Sequence, residues 1–325
     1  MTQIKMSERI GIPGDLVRHP EMVYAANDVP FLWDMAEARI SELHAKGIDG
    51  RGVKVGVMDT GWSAHSHLPT PIFTHDMTGS RSGSRDLNGH GSWCNGRIFG
   101  TEGVGIAPAA EAGHVKVLGD NGSGRTDWSE RGRLLLAEQG FHLVSVSLGG
   151  PCSNDGRLEE SMRRANELGT MLEIDAAGNS GFNGRVNTID CPGRADTGFA
   201  IGAYRRDGRI SGFSSGGTQL DLACPGEQVI STSHRGTGWA TLSGTSMATP
   251  FCCGILALTV QKRRQNGTPD VDMIGAESWR QFFQTEGILD RALEDAGEAG
   301  KDPSYRFGKP MVYHLIDWLG DYKFV

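Results

Sequence analysis

Asp59 in "VGVMDTG", His90 in "DLNGHGSWCNG" and Ser246 in "SGTSMATP" are a carboxylate, an imidazole and a hydroxyl, each set among glycines or other small residues. A serine hydroxyl is a poor nucleophile until a base takes its proton, and the base works only when a third group holds its orientation. Singly, each has a structural explanation, because an Asp before Thr-Gly forms turns and isolated His or Ser residues commonly serve packing. Together, at the ends of apolar runs, they meet the needs of nucleophilic acyl chemistry. Glycine on both sides of His90 lets backbone and substrate come close. The small residues 243–248 leave the Ser246 oxygen uncovered, and a helix starting there would aim N–H groups at a developing anion. Pro250 is tolerable in a first turn but deprives the Ser246 carbonyl of its helical donor.

These groups must be carried by strands and helices that the apolar pattern marks out. The runs 53–58, 114–118, 142–150, 170–179, 198–203 and 228–232 read as strands, some running on into a glycine loop. Helices are expected over 128–139, capped by Asp127 with Glu130, and over the amphipathic 156–169, stopped by Gly169. A third, 246–264, closes on Lys262, Arg263 and Arg264 with Gly267 beyond, and "MVYHLIDWL" near the C-terminus reads as a fourth. Alternation of this kind predicts an α/β fold: three layers, doubly wound, with a mostly parallel central sheet and helices on both faces. In such sheets functional groups gather where strands end and helices begin. Residues 1–27 are read as an N-terminal extension, inhibitory or docking, and 28–325 as a single catalytic domain.

Composition narrows the function. A hydrophobic share of 38% in 325 residues leaves room for a real core, and 47 glycines without a triplet period fit a turn-rich fold. A formal charge of -7 argues against nucleic acid or an anionic membrane as partner. The first twenty residues lack an apolar segment and no run could span a membrane, so a cytoplasmic location is expected, or secretion if the chain is a trimmed mature form. The six cysteines show no CxxC spacing and are expected as free thiols.

The sequence resembles the subtilisin-like serine proteases, the subtilases (peptidase S8), from about residue 32 almost to its end. "VGVMDTG", "NGHGSWCNG" and "SGTSMATP" resemble the family's Asp, His and Ser motifs, in the family's order, with "SLGGP" (147–151) and "AAGNSG" (176–181) between them. The resemblance implies Ser246 as nucleophile, His90 as general base and then acid, and Asp59 as holder of the imidazole. It implies the Asn179 amide and the Ser246 N–H as oxyanion donors. Ser147, Leu148 and Gly149 would pair with the substrate backbone and, with Ala176, Ala177 and Gly178, wall the pocket before the scissile bond. Asp190, where relatives often have a pocket-floor glycine, could favour Lys or Arg there. No cofactor is implied for catalysis. A structural calcium is common in the family, and a weak cation site could use Asp221 with carbonyls near Gly193, Ala195 and Gly198.

Several positions depart from the family pattern: Trp93 and Asn95 in the His motif, and Phe251 and Cys252 after the Ser motif. Cys94 lies one helical turn from His90, as in the proteinase-K-like branch, and the first 27 residues resemble the short extension of intracellular subtilisins, which covers the cleft. The expected activity is serine endopeptidase action on protein or peptide substrates. Three rivals stand beside it: a subtilase-type ligase or macrocyclase passing the acyl group to an amine, a non-catalytic binding scaffold, and an aspartic protease using the two DTG turns at 59–61 and 196–198. The last leaves the His and Ser motifs without a role.

Overall fold

The computed structural model describes residues 9–12, 17–18, 29–153, 155–267, 270–284, 293–294 and 308–310. Its elements run β1 (Arg9–Gly11), β2 (Val17–Arg18), α1 (Trp33–Glu37), α2 (Ile40–Ala45), β3 (Lys54–Asp59), β4 (Phe73–Asp76), α3 (His90–Phe99) and β5 (Glu111–Lys116). They continue with β6 (Ser123–Arg125), α4 (Thr126–Glu138), β7 (Leu143–Val146), α5 (Arg157–Glu167), β8 (Leu172–Ala176), β9 (Ala200–Tyr204) and β10 (Leu220–Pro225). Then come β11 (Val229–Thr232), β12 (Trp239–Ser243), α6 (Thr245–Gln265) and α7 (Ala276–Gln284). The helix expected over "MVYHLIDWL" lies outside the described residues.

Seven strands form the central sheet in the order β10-β9-β8-β7-β3-β5-β4, every neighbouring pair parallel. The strands β7 and β8 are buried along their whole length, as covered parallel strands must be. Side chains on β3 alternate between two cores. Val55 and Val57 join the core that holds Trp93 of α3 and Met247 and Ile255 of α6, whereas Met58 joins Val115, Leu136 and Val144 on the other side. The two-residue period therefore turns Asp59 toward the α3 and α6 side. Doubly wound architecture is thus confirmed as the expected three-layer α/β fold.

Away from this sheet, β11, β12 and β2 form a small antiparallel sheet. The N-terminal strand β1 runs antiparallel to β6, and Gly11 exchanges two backbone hydrogen bonds with Gly149, at 3.1 and 2.9 Å. Ile12 donates its N–H to the Gly122 carbonyl at 3.1 Å.

Two local expectations are corrected. The α4 helix begins at Thr126, so Asp127 falls inside its first turn and pairs with Arg125 at 2.6 Å, while Glu130 Oε1 is buried without a partner; no capping box forms. Of the six cysteines, Cys152 and Cys191 form a disulfide, and Cys94, Cys224, Cys252 and Cys253 are buried free thiols. The pair meets because Gly150 and Cys191 exchange backbone hydrogen bonds at 3.1 and 3.0 Å, a juxtaposition that a separation of 39 residues hides from spacing arguments.

The departure at Phe251 has a packing partner. The guanidinium of Arg97, on α3, lies 6.0 Å from the Phe251 ring centroid, donates to the Val104 and Ile230 carbonyls at 3.0 and 3.4 Å, and pairs with Asp34 of α1. Both ionic side chains are fully buried. Removing one member of such a pair strands the other charge in the core. Asp34→Ala is expected to lower stability by about 3–5 kcal/mol, and Asp34→Leu with Arg97→Met to recover most of that loss. Urea unfolding midpoints of the three proteins measure it, and equal midpoints for Asp34→Ala and wild type would refute the account.

Candidate active site

Asp59 is the last residue of β3 and His90 the first of α3. His90 Nδ1 lies 2.8 and 2.9 Å from the two Asp59 carboxylate oxygens, and Thr60 N–H donates to Asp59 Oδ1 at 2.7 Å. A carboxylate only accepts, so Nδ1 carries the proton and Nε2 of the neutral ring presents a lone pair. That Nε2 is buried and has no hydrogen-bond partner.

The tip of α3 reaches the Asp59-Thr60-Gly61 turn because Gly91 has no side chain: a Cβ there would lie 2.5 Å from the Gly61 carbonyl oxygen. Gly91 N–H instead donates to Thr60 Oγ1 at 2.8 Å. Asp86, which sequence reasoning passed over, completes the clamp. Its carboxylate accepts from Thr60 Oγ1 at 2.9 Å and from the N–H groups of Asn88, Gly89 and Ser92 at 2.7–2.9 Å. Burial would raise its pKa, but these donors hold it below the ordinary carboxylate value. Its signal was a carboxylate four residues before the start of a helix without a capping side chain of its own. Buried Lys116 was also missed; its Nζ donates to the Thr60 carbonyl and to Asp120 Oδ1, the latter at 2.8 Å.

Ser246 sits in the first turn of α6. Its hydroxyl donates to the Ser147 carbonyl at 3.2 Å and not to His90. The Ser246 carbonyl, left without a helical donor by Pro250, accepts from Ser147 Oγ at 2.9 Å and Cys94 Sγ at 3.7 Å. Burial, and next the Asp59 charge, push the Cys94 thiol well up, so it remains protonated. Asn179 is oriented from α6: its Oδ1 accepts from Thr245 N–H at 2.9 Å and Thr245 Oγ1 at 3.0 Å. Its Nδ2 is thereby turned away, buried and without a partner.

The expected pocket residues fall on two walls. Ser147 and Gly149 offer backbone along one, and Leu148 turns its side chain into the core beneath α4. Ala176 and Ala177 are buried on the other, and Gly178 N–H is held by Thr245 Oγ1 at 3.0 Å. Asp190 joins them, its N–H on the Ala177 carbonyl at 2.9 Å. Two departures in the His motif also find partners. Trp93 Nε1 donates to the Ala240 carbonyl at 2.8 Å, and Asn95 Oδ1 lies 3.1 Å from Nδ1 of His114, a buried ring whose pKa desolvation lowers to about 4.

Asp221 is not placed as the expected cation ligand. Arg280 of α7 donates to its two oxygens at 2.7 and 3.1 Å and to the Asp196 and Gly198 carbonyls at 2.8 and 2.5 Å. A guanidinium engages the oxygens expected to face a cation, and its positive charge disfavours a second cation beside them. Asp196 of the second DTG turn is exposed, while Asp59 is buried against His90, so the two carboxylates do not form a shared-proton dyad.

A model described as the Subtilase family matches residues 50–308. The chain is 36% identical over 284 residues to "Intracellular serine protease" of Paenibacillus polymyxa, covering 84% of each. It is 36% identical to "Subtilisin Savinase" of Lederbergia lenta, over 73% of this chain and 86% of that one. It is 35% identical to "Major intracellular serine protease" of Bacillus subtilis, over 73% of this chain and 77% of the relative. Among the described residues, no helix is long and apolar enough to cross a membrane.

The thiols check this geometry directly. The native chain is expected to expose none of its four free cysteines to Ellman's reagent, to release four on unfolding in urea, and all six after reduction. Rapid native reaction at Cys94 would contradict its closed position between His90 and Ser246.

Proposed function

The chain belongs to the subtilase family and is a serine endopeptidase acting on protein or peptide substrates, and we propose that it works through an acyl-enzyme on Ser246. One observation carries this reading: His90 Nε2 and Asn179 Nδ2 are both buried without partners beside the first turn of α6. Such groups are costly in a folded core, and a reacting species at Ser246 would satisfy these two together. In the proposed cycle His90 Nε2 takes the Ser246 proton as Oγ attacks the substrate carbonyl carbon. Asp59 fixes the ring's tautomer and stabilises its charge. The tetrahedral oxyanion accepts from Asn179 Nδ2 and the Ser246 N–H. His90 then protonates the leaving amine, and water, activated by the same nitrogen, hydrolyses the ester. An amine in place of water would give ligation; the relatives' names as proteases support water.

The extension is proposed to be inhibitory. Residues Arg9–Ile12 are paired along Ser123–Arg125 and Gly149 in the strand position that a substrate backbone would take. The expected cytoplasmic location is supported by the word "intracellular" in two relatives' names and opposed by the Cys152–Cys191 disulfide, since reducing compartments rarely keep such bonds.

Three measurements test these roles. Asn179→Ala should lower kcat by ~10²–10³-fold, a range known from a subtilisin, with KM changed far less. Ser246→Ala should abolish both turnover and fluorophosphonate labelling, and residual labelling would refute the nucleophile assignment. Removing residues 1–12 should raise kcat/KM about tenfold or more, the factor for a tethered strand seated in nine molecules of ten. Equal rates for the full and trimmed chains would dismiss the inhibitory role.

A further inference from the structure

The pocket beside Ser246 has an unusual floor. An added Cβ on Gly178 would lie 2.6 Å from Asp190 Oδ2, and one on Gly149 3.0 Å from Asp190 Cβ. The acid therefore sits between the two walls, and the missing side chains of both glycines leave its carboxylate open to the space they enclose. Those walls are tied to the reacting atoms. Ser147, two residues before Gly149, receives the Ser246 hydroxyl at 3.2 Å, and Gly178 precedes Asn179. The floor is fixed from below. Asp190 N–H holds the Ala177 carbonyl, Cys191 pairs with Gly150 in both directions, and the Cys152–Cys191 disulfide joins the same two segments.

What the carboxylate lacks is a counter-charge. Several buried acids are matched by an arginine, Asp34 by Arg97, Glu173 by Arg133 and Asp221 by Arg280, while Asp86 and Asp175 accept hydrogen bonds instead. Among the described residues the Asp190 carboxylate has no ion pair and accepts no hydrogen bond, and burial alone raises its pKa to about 6. The segments around it, 147–151, 176–180 and 191–195, hold one ionisable side chain, Arg194, which is exposed; Arg9 of β1, facing Gly150 by its carbonyl, is exposed too. A half-buried carboxylate without a partner favours a ligand that brings the missing cation.

We propose that Asp190 makes this pocket select a Lys or Arg side chain immediately before the scissile bond. This rests on the assignment of Ser246 as nucleophile and deepens it to a substrate class. The selectivity has a definite pH course. An ionised Asp190 attracts the substrate cation, so the ratio of kcat/KM for Lys over Phe peptides should rise as pH passes upward through about 6. Taking the ratio cancels every other pH effect common to both substrates.

The test uses the full chain and quenched-fluorescence peptides differing only in Lys, Arg, Phe or Leu at that position. Wild type should favour Lys and Arg at pH 8, and Asp190→Asn should cut the Lys-to-Phe ratio by ~10–100-fold, the worth of a hydrogen-bonded charge contact. A wild type that prefers Phe or Leu, or an unchanged ratio in Asp190→Asn, overturns the proposal. Benzamidine, an aryl cation, provides an arm that needs no turnover. Calorimetric binding to Ser246→Ala should weaken by a similar factor when Asp190→Asn is added, and equal affinity overturns the proposal. Absence of any Ser246-dependent cleavage would instead refute the acyl-enzyme reading, while the benzamidine comparison still decides the pocket.

Discussion

The site depends on one docking contact, the first turn of α3 against the Asp59-Thr60-Gly61 turn that ends β3. Buried parallel strands deliver Asp59 to the sheet's C-terminal edge, on the face that the two-residue period assigns to α3 and α6. The imidazole can meet it only if the helix tip approaches to backbone contact, which Gly91 permits and the Thr60 hydroxyl locks. Asp86 then ties the helix start to the same threonine, and Lys116 ties the turn to the loop that carries Asp120. A loss at any of these points shifts the ring relative to Ser246. Displacements near 1 Å can cost about 10²-fold in rate.

The α6 helix imposes the complementary constraint. Its early proline shapes the entrance at the cost of an unsatisfied carbonyl, and Ser147 and Cys94 supply the missing donors. That arrangement ties the Ser147 segment, α3 and the first turn of α6 to one oxygen. Thr245 plays the matching part for Asn179, engaging the amide's acceptor so that its donor is left outward. Free donors and lone pairs near Ser246 thus follow from how neighbouring groups are already used.

Much of this was legible in the sequence because buried parallel strands read as apolar runs and their ends carry the reactive residues. The strand that leads to Asp59 and the helix that carries Ser246 lie within a residue of where the pattern put them, while β8 stops at Ala176, short of Asn179. What was missed involves pairs far apart in the chain. Spacing gave no hint that Cys152 would meet Cys191, or that Arg280, 59 residues beyond Asp221, would engage the oxygens expected to face a cation. The Asn95 departure makes sense only beside His114, a strand residue whose ring it faces. The capping box failed for a local reason: α4 starts before Asp127, and helix ends are fixed by neighbours as much as by propensity.

The treatment of buried charge separates scaffold from chemistry in this chain. Three buried carboxylates that join elements are met by arginine: Asp34 with Arg97 joins α1 to α3, Glu173 with Arg133 joins β8 to α4, and Asp221 with Arg280 joins β10 to α7. Arginine suits that task because its guanidinium stays charged and binds a carboxylate in a fixed fork. Around Ser246, among the described residues, no arginine plays that part. His90 Nε2, Asn179 Nδ2 and the Asp190 carboxylate have no hydrogen-bond partner among the described residues, and Arg9–Ile12 runs beside Gly149 and Gly150, next to Asp190. Other buried atoms, such as Glu130 Oε1 and Asp175 Oδ1, also lack partners, so what distinguishes these three is that a donor, a lone pair and a negative charge are open on the segments next to Ser246.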